Sequence, residues 1–186
     1  MRPQKVQDPE MLQGLMSVLR AKGYDGASLM ELAEAAGLKK ASLYHRFPGG
    51  KKEMASAVLA YVEDWVTQHI YGVLVNEAET PKKRLALALD NTRQLYQKGE
   101  AICIFRAMSM DTGMALFGEQ IAQGLQQWVD AFTKLGTDLK RSKSEAKALA
   151  IQSLIDVQGS LVVAKGMGTT DIFEDALKKI RARYVS

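Results

Sequence analysis

Apolar residues recur every three to four positions along almost all of this 186-residue chain, and no stretch sustains the strict alternation of a half-buried strand. That period points to an all-α fold. A first helix is expected from Asp8 to Lys22, with Pro9 in the first turn, where its missing amide hydrogen removes no helical bond. Met11, Leu12, Leu15, Met16, Val18 and Leu19 form its apolar stripe, and Gly23 ends it. Ser28-Leu29-Met30-Glu31 then reads as a capping box, in which hydroxyl and carboxylate each satisfy a free amide at a helix start. The helix it opens places Leu29, Leu32, Ala33 and Ala36 on one face and stops at Gly37. A second short helix over Lys40 to Phe47 follows, and Pro48-Gly49-Gly50 breaks it.

The rest reads as a larger bundle. Lys51 to Leu74 carries Met54, Val58, Tyr61, Trp65 and His69 on one stripe, and Thr80-Pro81 opens a helix that reaches Gly99. Ala101 to Met108 makes a short helix, and Asp111 to Leu135 repeats large apolar residues at steps of three and four. Ser142-Lys143-Ser144-Glu145 is a second capping box, leading a helix to about Lys165 that Gly166 and Gly168 close. The last helix covers Asp171 to Tyr184. About nine helices are expected in all, with a helix-turn-helix domain over residues 1–50 and a helical domain over residues 51–186.

Several function classes drop out on composition. A single cysteine, Cys103, rules out a disulfide within the chain and fits a reducing cytoplasm. Arg106, one turn on from it, is the only nearby cation that could lower its pKa, so a buried, inert thiol is the simpler reading. With two histidines, no paired carboxylates, no metal-ligand spacing, no phosphate-binding glycine loop and no nucleophile motif, neither an enzyme nor a metal or cofactor is expected. Met1 to Lys5 leads into no apolar run, so no secretory signal is expected. No run approaches the ~18 uninterrupted apolar residues of a membrane span, and a cytoplasmic location follows.

The net charge of +4 is unevenly spread: residues 1–60 carry nine Lys and Arg against six Asp and Glu, nearly the whole excess. Two short helices with a glycine turn between them, behind a supporting helix, make a helix-turn-helix. Leu38, Leu43 and Phe47 can face the support, which leaves Lys39, Lys40, Ser42, Tyr44, His45 and Arg46 outside, with no acid between Leu38 and Lys52. A donor-rich face of this kind suits DNA phosphates. Taken singly, the lysine pairs are also what a solvated surface carries, and Tyr44 could instead pack on the supporting helices.

Gly23-Tyr24, Ser28-Leu29, Leu32-Ala33, Ala36-Gly37-Leu38 and Ala41-Ser42-Leu43-Tyr44-His45-Arg46-Phe47 resemble the N-terminal signature of the TetR family of transcriptional regulators. The Phe47-Pro48-Gly49-Gly50-Lys51-Lys52-Glu53-Met54 junction looks like the branch typified by LmrA and YxaF, which has an extra glycine there. The resemblance implies that Ser28 touches a phosphate, that Lys40, Ala41 and Ser42 approach base edges, and that Tyr44, His45 and Lys51 meet phosphates. Ala41 would meet a thymine methyl, and Lys51 would act from a helix N-terminus whose dipole favours an anion. Three positions depart from the pattern. Lys39 stands where a capping serine is usual, at a cost of roughly 0.3–1 kcal/mol, which suggests that it lies against DNA. Asp8 replaces a common basic residue, with Arg2 or Lys5 to compensate. Gly14-Leu15 stands where small alanines are usual, so the first helix is expected to sit differently.

By the same resemblance, the bundle dimerises and holds an effector. Homodimerisation is expected through the last two helices, with Leu154, Ile155, Leu161 and Val162 on one and Phe173, Ala176, Leu177 and Ile180 on the other. Trp65, His69, Phe105, Met108, Met110, Phe117, Trp128, Phe132 and Gln158 fall on helices that line the family's effector cavity, although such stripes are equally those of a packed core. The expected function is a repressor that binds a palindromic operator as a dimer and is released by a small apolar or aromatic molecule. The alternative is an architectural or low-specificity DNA-binding protein without an effector.

Overall fold

The computed structural model describes residues 9–186, so Arg2, Lys5 and Asp8 lie outside the described residues. Among those residues every regular element is helical, as the apolar period requires. The order is α1 (Pro9–Gly26), α2 (Leu29–Ala35), α3 (Lys40–Arg46), α4 (Gly50–Val66), α5 (Gly72–Val75) and α6 (Pro81–Leu95). Then come α7 (Ile104–Met108), α8 (Asp111–Asp138), α9 (Lys143–Met167) and α10 (Asp171–Val185). A π-helical turn, Thr67–Tyr71, joins α4 to α5 without a break, so the described chain has nine helices.

Two compact units result. One runs to Val62 and takes in Ile104–Gly118; the other comprises Glu63–Cys103 and Glu119–Ser186. The first unit is therefore larger than the helix-turn-helix alone, because most of α4, the whole of α7 and the first turns of α8 belong with it.

In the first unit α1 does not stop at Gly23. That glycine takes φ 69°, kinking the helix, which resumes as far as Gly26. Gly14 is the other critical glycine: a Cβ there would stand 1.9 Å from the carbonyl oxygen of Ala35. The α1 and α2 backbones thus meet directly, which is how α1 sits with glycine where alanine is usual. Leu12, Leu15, Leu19, Leu32, Leu43, Phe47, Met54 and Val58 are buried in the same unit.

The second unit is built on α6, α9, α10 and most of α8 around Ile70, Leu74, Leu85, Phe132, Leu135, Val157, Phe173 and Ile180. Val66, Ile70 and Leu74 are all buried at steps of four, a spacing that would drift about 40° per step around a straight α-helix. The wider π turn absorbs that drift. Arg84 is buried too, and is accommodated by bonding: Nη1 donates to the carbonyl of Leu74 at 2.8 Å and Nη2 to Asp138 at 2.8 Å. Lys134 donates to the same Asp138 at 2.6 Å and to Glu77 at 3.0 Å. Burial pushes the Asp138 carboxyl up, but the bonds from Lys134 and Arg84 outweigh it and hold the carboxyl below its ordinary value.

Two sequence boundaries shift for local reasons. α6 ends at Leu95 rather than at Gly99, because Gln97 and Lys98 take left-handed φ values of 50° and 60° and close a 3₁₀ turn. The helix expected from Ala101 forms only from Ile104. The Ser142 capping box forms as read, with the amide of Glu145 donating to Ser142 Oγ at 3.3 Å and the amide of Ser142 to Glu145 at 3.0 Å.

α9 is apolar on more than one side. Ala146, Ala150, Val157, Leu161 and Ala164 are buried, whereas Ile151, Ile155, Val162, Val163 and Met167 are exposed. Among the described residues it is the one helix long and apolar enough to cross a membrane by length and composition, although 33% of its most apolar stretch is buried within the protein. α10 differs: Phe173, Ala176, Leu177, Ile180 and Tyr184 are all buried in the chain's own core. The α10 stripe expected at a dimer interface is thus consumed internally, and the free apolar face belongs to α9.

Candidate nucleic-acid interface

Leu43 and Phe47, four residues apart and each 0% exposed, fix α3 to the first unit. The opposite face of α3 is left outward, so Lys40, Ala41, Ser42, Tyr44, His45 and Arg46 are exposed. Lys39 occupies the N-cap in extended backbone and makes no side-chain cap. Lys39, Lys40, Ser42, Tyr44 and His45 make no side-chain hydrogen bond or ion pair to any other described residue. The α3 face therefore combines free cationic and hydroxyl donors with the uncapped amides of a first helical turn.

The neighbouring positions are already committed. Ser28 caps α2 by accepting from the amide of Glu31 at 3.3 Å, while its hydroxyl donates to the Glu31 carboxylate at 2.7 Å. The Ser28 hydroxyl proton is thus given within the chain rather than held for a phosphate. Lys22 also bonds Glu31, and that bond first, then those from Ser28, pulls the Glu31 carboxyl down to about 2. Arg46 turns back, its Nη1 lying 3.2 Å from the sulfur of Met11.

Lys51 departs most from the sequence reading. Its ammonium donates to the carbonyls of Ala27 at 3.1 Å and Asp25 at 3.4 Å, and lies 4.7 Å from the centre of the Tyr24 ring. Two of its three donors are so engaged. The start of α4 carries its own anion as well, since the amide of Gly49 donates to Glu53 Oε2 at 2.7 Å. An incoming phosphate there would meet a carboxylate.

The residues expected to line an effector site fall into separate groups. Trp65 and His69 stack at 4.5 Å and 11°, with His69 Nδ1 2.8 Å from the Trp65 carbonyl, at the π turn of the second unit. Trp128 and Phe132 stack at 4.5 Å and 19°; both are buried, and Trp128 Nε1 donates to Ser153 at 3.1 Å. That pair is a satisfied core. Gln158 is half-buried and reaches the Tyr96 hydroxyl at 3.4 Å. Phe105 and Met108, on α7, belong to the first unit, as do Met110 and Phe117. Met108 and Phe117 are buried and Met110 is exposed. Cys103 is a buried free thiol. Among the described residues no group of three or more His, Cys, Asp or Glu side chains is placed to hold a metal ion.

A short helix anchored by two apolar side chains, with free donors along its outer face and a capped helix before it, defines a helix-turn-helix DNA-binding domain. Residues 12–58 match the family described as bacterial regulatory proteins, tetR family. The chain is similar to the uncharacterized HTH-type transcriptional regulator YxaF of Bacillus subtilis, 26% identical over 93 residues, which are 50% of this chain and 48% of YxaF. The match thus spans about half the length of that relative. The HTH-type transcriptional regulator LmrA of the same organism is 30% identical over 61 residues, 33% of this chain and 32% of LmrA. For the fold as a whole, a TetR transcriptional regulator from Legionella pneumophila superposes with a TM-score of 0.80 at 18% identity, covering 96% of this chain and 98% of that one. Residues 12–58 thus carry a tetR-type helix-turn-helix DNA-binding domain, and the chain as a whole has the fold of the TetR regulator from Legionella pneumophila.

Proposed function

We propose that the protein is a repressor that binds a palindromic operator as a homodimer and releases it when a small apolar or aromatic effector binds the helical domain that follows residue 50. The observation that carries this reading is the outer face of α3, where Lys39, Lys40, Ala41, Ser42, Tyr44 and His45 are exposed and without partners among the described residues, over the buried anchors Leu43 and Phe47. Lys40, Ala41 and Ser42 meet base edges, and Lys39, Tyr44 and His45 meet phosphates. Ser28 acts through the helix it caps.

The exposed apolar residues of α9 support self-association: Ile151, Ile155 and Val162 lie within one stripe beside Gly159, at which an added Cβ would meet nothing within 4 Å. A two-fold dimer sets its two reading helices roughly 34–36 Å apart or a multiple of that, which makes the operator palindromic. For the effector, Trp65, His69 and Gln158 are the members of the expected set that remain at least partly accessible in the second unit. Release requires a ligand that prefers a dimer geometry unmatched to the operator spacing. Such a regulator works in the cytoplasm.

The test is a fluorescence-anisotropy titration against DNA flanking its own gene, with unrelated DNA as control, across several salt concentrations. A preference of at least about 10³-fold for one palindromic segment is expected. Equal, steeply salt-dependent binding to both DNAs would instead indicate an architectural protein.

A further inference from the structure

The segment from Gly23 to Ala27, the kinked last turn of α1 and the first step towards α2, is held from two sides within the first unit. From one side come α7 and the first turns of α8. Asp25 Oδ2 accepts from the amide of Thr112 at 3.2 Å, capping α8, and the Tyr24 ring meets Phe117 edge-on at 5.6 Å. The fit is close: a Cβ on Gly23 would lie 3.0 Å from the Ala107 carbonyl, and one on Gly113 would lie 3.2 Å from Tyr24 Cβ. From the other side comes Lys51, at the start of α4, which bonds the carbonyls of Asp25 and Ala27 and covers the same Tyr24 ring. Ala27 adjoins Ser28, the cap of α2, and Lys51 follows directly on the Gly49-Gly50 turn that ends the reading helix.

We propose that Tyr24, Asp25 and Lys51 form a positioning joint, through which the start of α8 sets the placement of the helix-turn-helix and hence its fit to DNA. The proposal rests on the DNA-binding reading above and names the regulation of that surface. Asp25 and Lys51 act on DNA without touching it. Removing Asp25 frees the α8 amide and loosens the segment that carries the α2 cap. Removing the Lys51 ammonium frees the same segment from α4. Because both side chains clamp one short stretch, losing the second adds little once the first is gone.

The experiment uses the full chain with Asp25→Ala, Asp25→Asn, Lys51→Met and the double variant Asp25→Ala/Lys51→Met. Two readouts are taken: amide hydrogen exchange of the free protein, and the salt dependence of binding to a random-sequence duplex. Exchange over residues 24–50 is expected to rise about fivefold in Asp25→Ala and in Lys51→Met, while exchange over α9 is unchanged. Asp25→Asn, which keeps an acceptor for Thr112, restores most of the protection. DNA binding weakens several-fold in both single variants with the slope of log K against log salt unaltered, and the double variant is little worse than either one.

A slope lowered by about 0.9 in Lys51→Met would make Lys51 a phosphate contact and overturn the joint. Unchanged exchange over residues 24–50 in Asp25→Ala would overturn it equally. If the wild-type protein binds no duplex at all, the DNA-binding reading falls, while the exchange data still decide whether the segment is clamped.

Discussion

α3 and α9 each present a face that the chain itself leaves uncovered, and the two faces have opposite chemistry. α3 is seven residues long and shows solvent amines, hydroxyls and an imidazole; α9 is 25 residues long and shows isoleucine, valine and methionine. Lys39 and Lys40 are well solvated whether or not DNA is present, so their exposure costs nothing and they gain from phosphate charge. Ile155, 56% exposed, is disfavoured in water until another apolar surface covers it. The pairing teaches that a free face describes the chemistry of what can cover it: an anionic surface for α3, an apolar one for α9.

The comparison can be broken at the anchors, and there the largest effect is expected. Leu43→Ala removes a fully buried side chain from a helix with few other holds, and a loss of about 2–5 kcal/mol in urea unfolding is expected. If stability is unchanged, α3 is not held as described. Next comes Ile155→Asp, which places a charge in the face assigned to a second copy. Sedimentation analysis is expected to show the dimer dissociation constant raised at least about 100-fold, with monomer stability preserved.

The smaller effects sharpen the contrast rather than break it. Lys39→Ser supplies the missing cap, so the protein is expected to gain about 0.5–1 kcal/mol in stability while the salt slope of DNA binding falls by close to one unit. An unaltered slope would remove Lys39 from the DNA surface. The last prediction is a pH dependence. The Glu31 carboxyl titrates lower in the folded protein, at about 2, than its ordinary value of 4.5. Its contribution to stability is therefore complete above 4.5 and is lost as pH falls towards 2. In acid thermal melts the wild type is expected to lose stability more steeply across that window than Glu31→Gln, whose side chain does not titrate.

What the sequence made legible is what local chemistry settles. Ser28 with Glu31, and Ser142 with Glu145, announce helix starts because both partners lie within four residues of each other. Leu43 and Phe47 announce the inward face of α3 by spacing alone. The bonds of Lys51 are hidden for the converse reason: its partners, the carbonyls of Asp25 and Ala27, lie 26 and 24 residues away, so nothing beside it in the sequence shows them. The Thr112 amide, bonded to Asp25 across 87 residues, was equally invisible. α10 shows the same limit at the level of a stripe. Phe173, Leu177 and Ile180 look alike in sequence whether they meet another subunit or their own core.

The π turn at Thr67–Tyr71 bears on how this protein is compared with its relatives. Such a turn holds one residue more than the α-helical turn it replaces, and one residue is about 100° of rotation. A relative whose corresponding helix runs straight has a one-residue gap at this place, even though neither chain has a loop there. Aligned without the gap, residues following Tyr71 would be matched to positions a quarter-turn away, and a buried side chain such as Leu74 would be equated with a surface one. For such a relative, the second unit's residues find their equivalents only once that offset is in place.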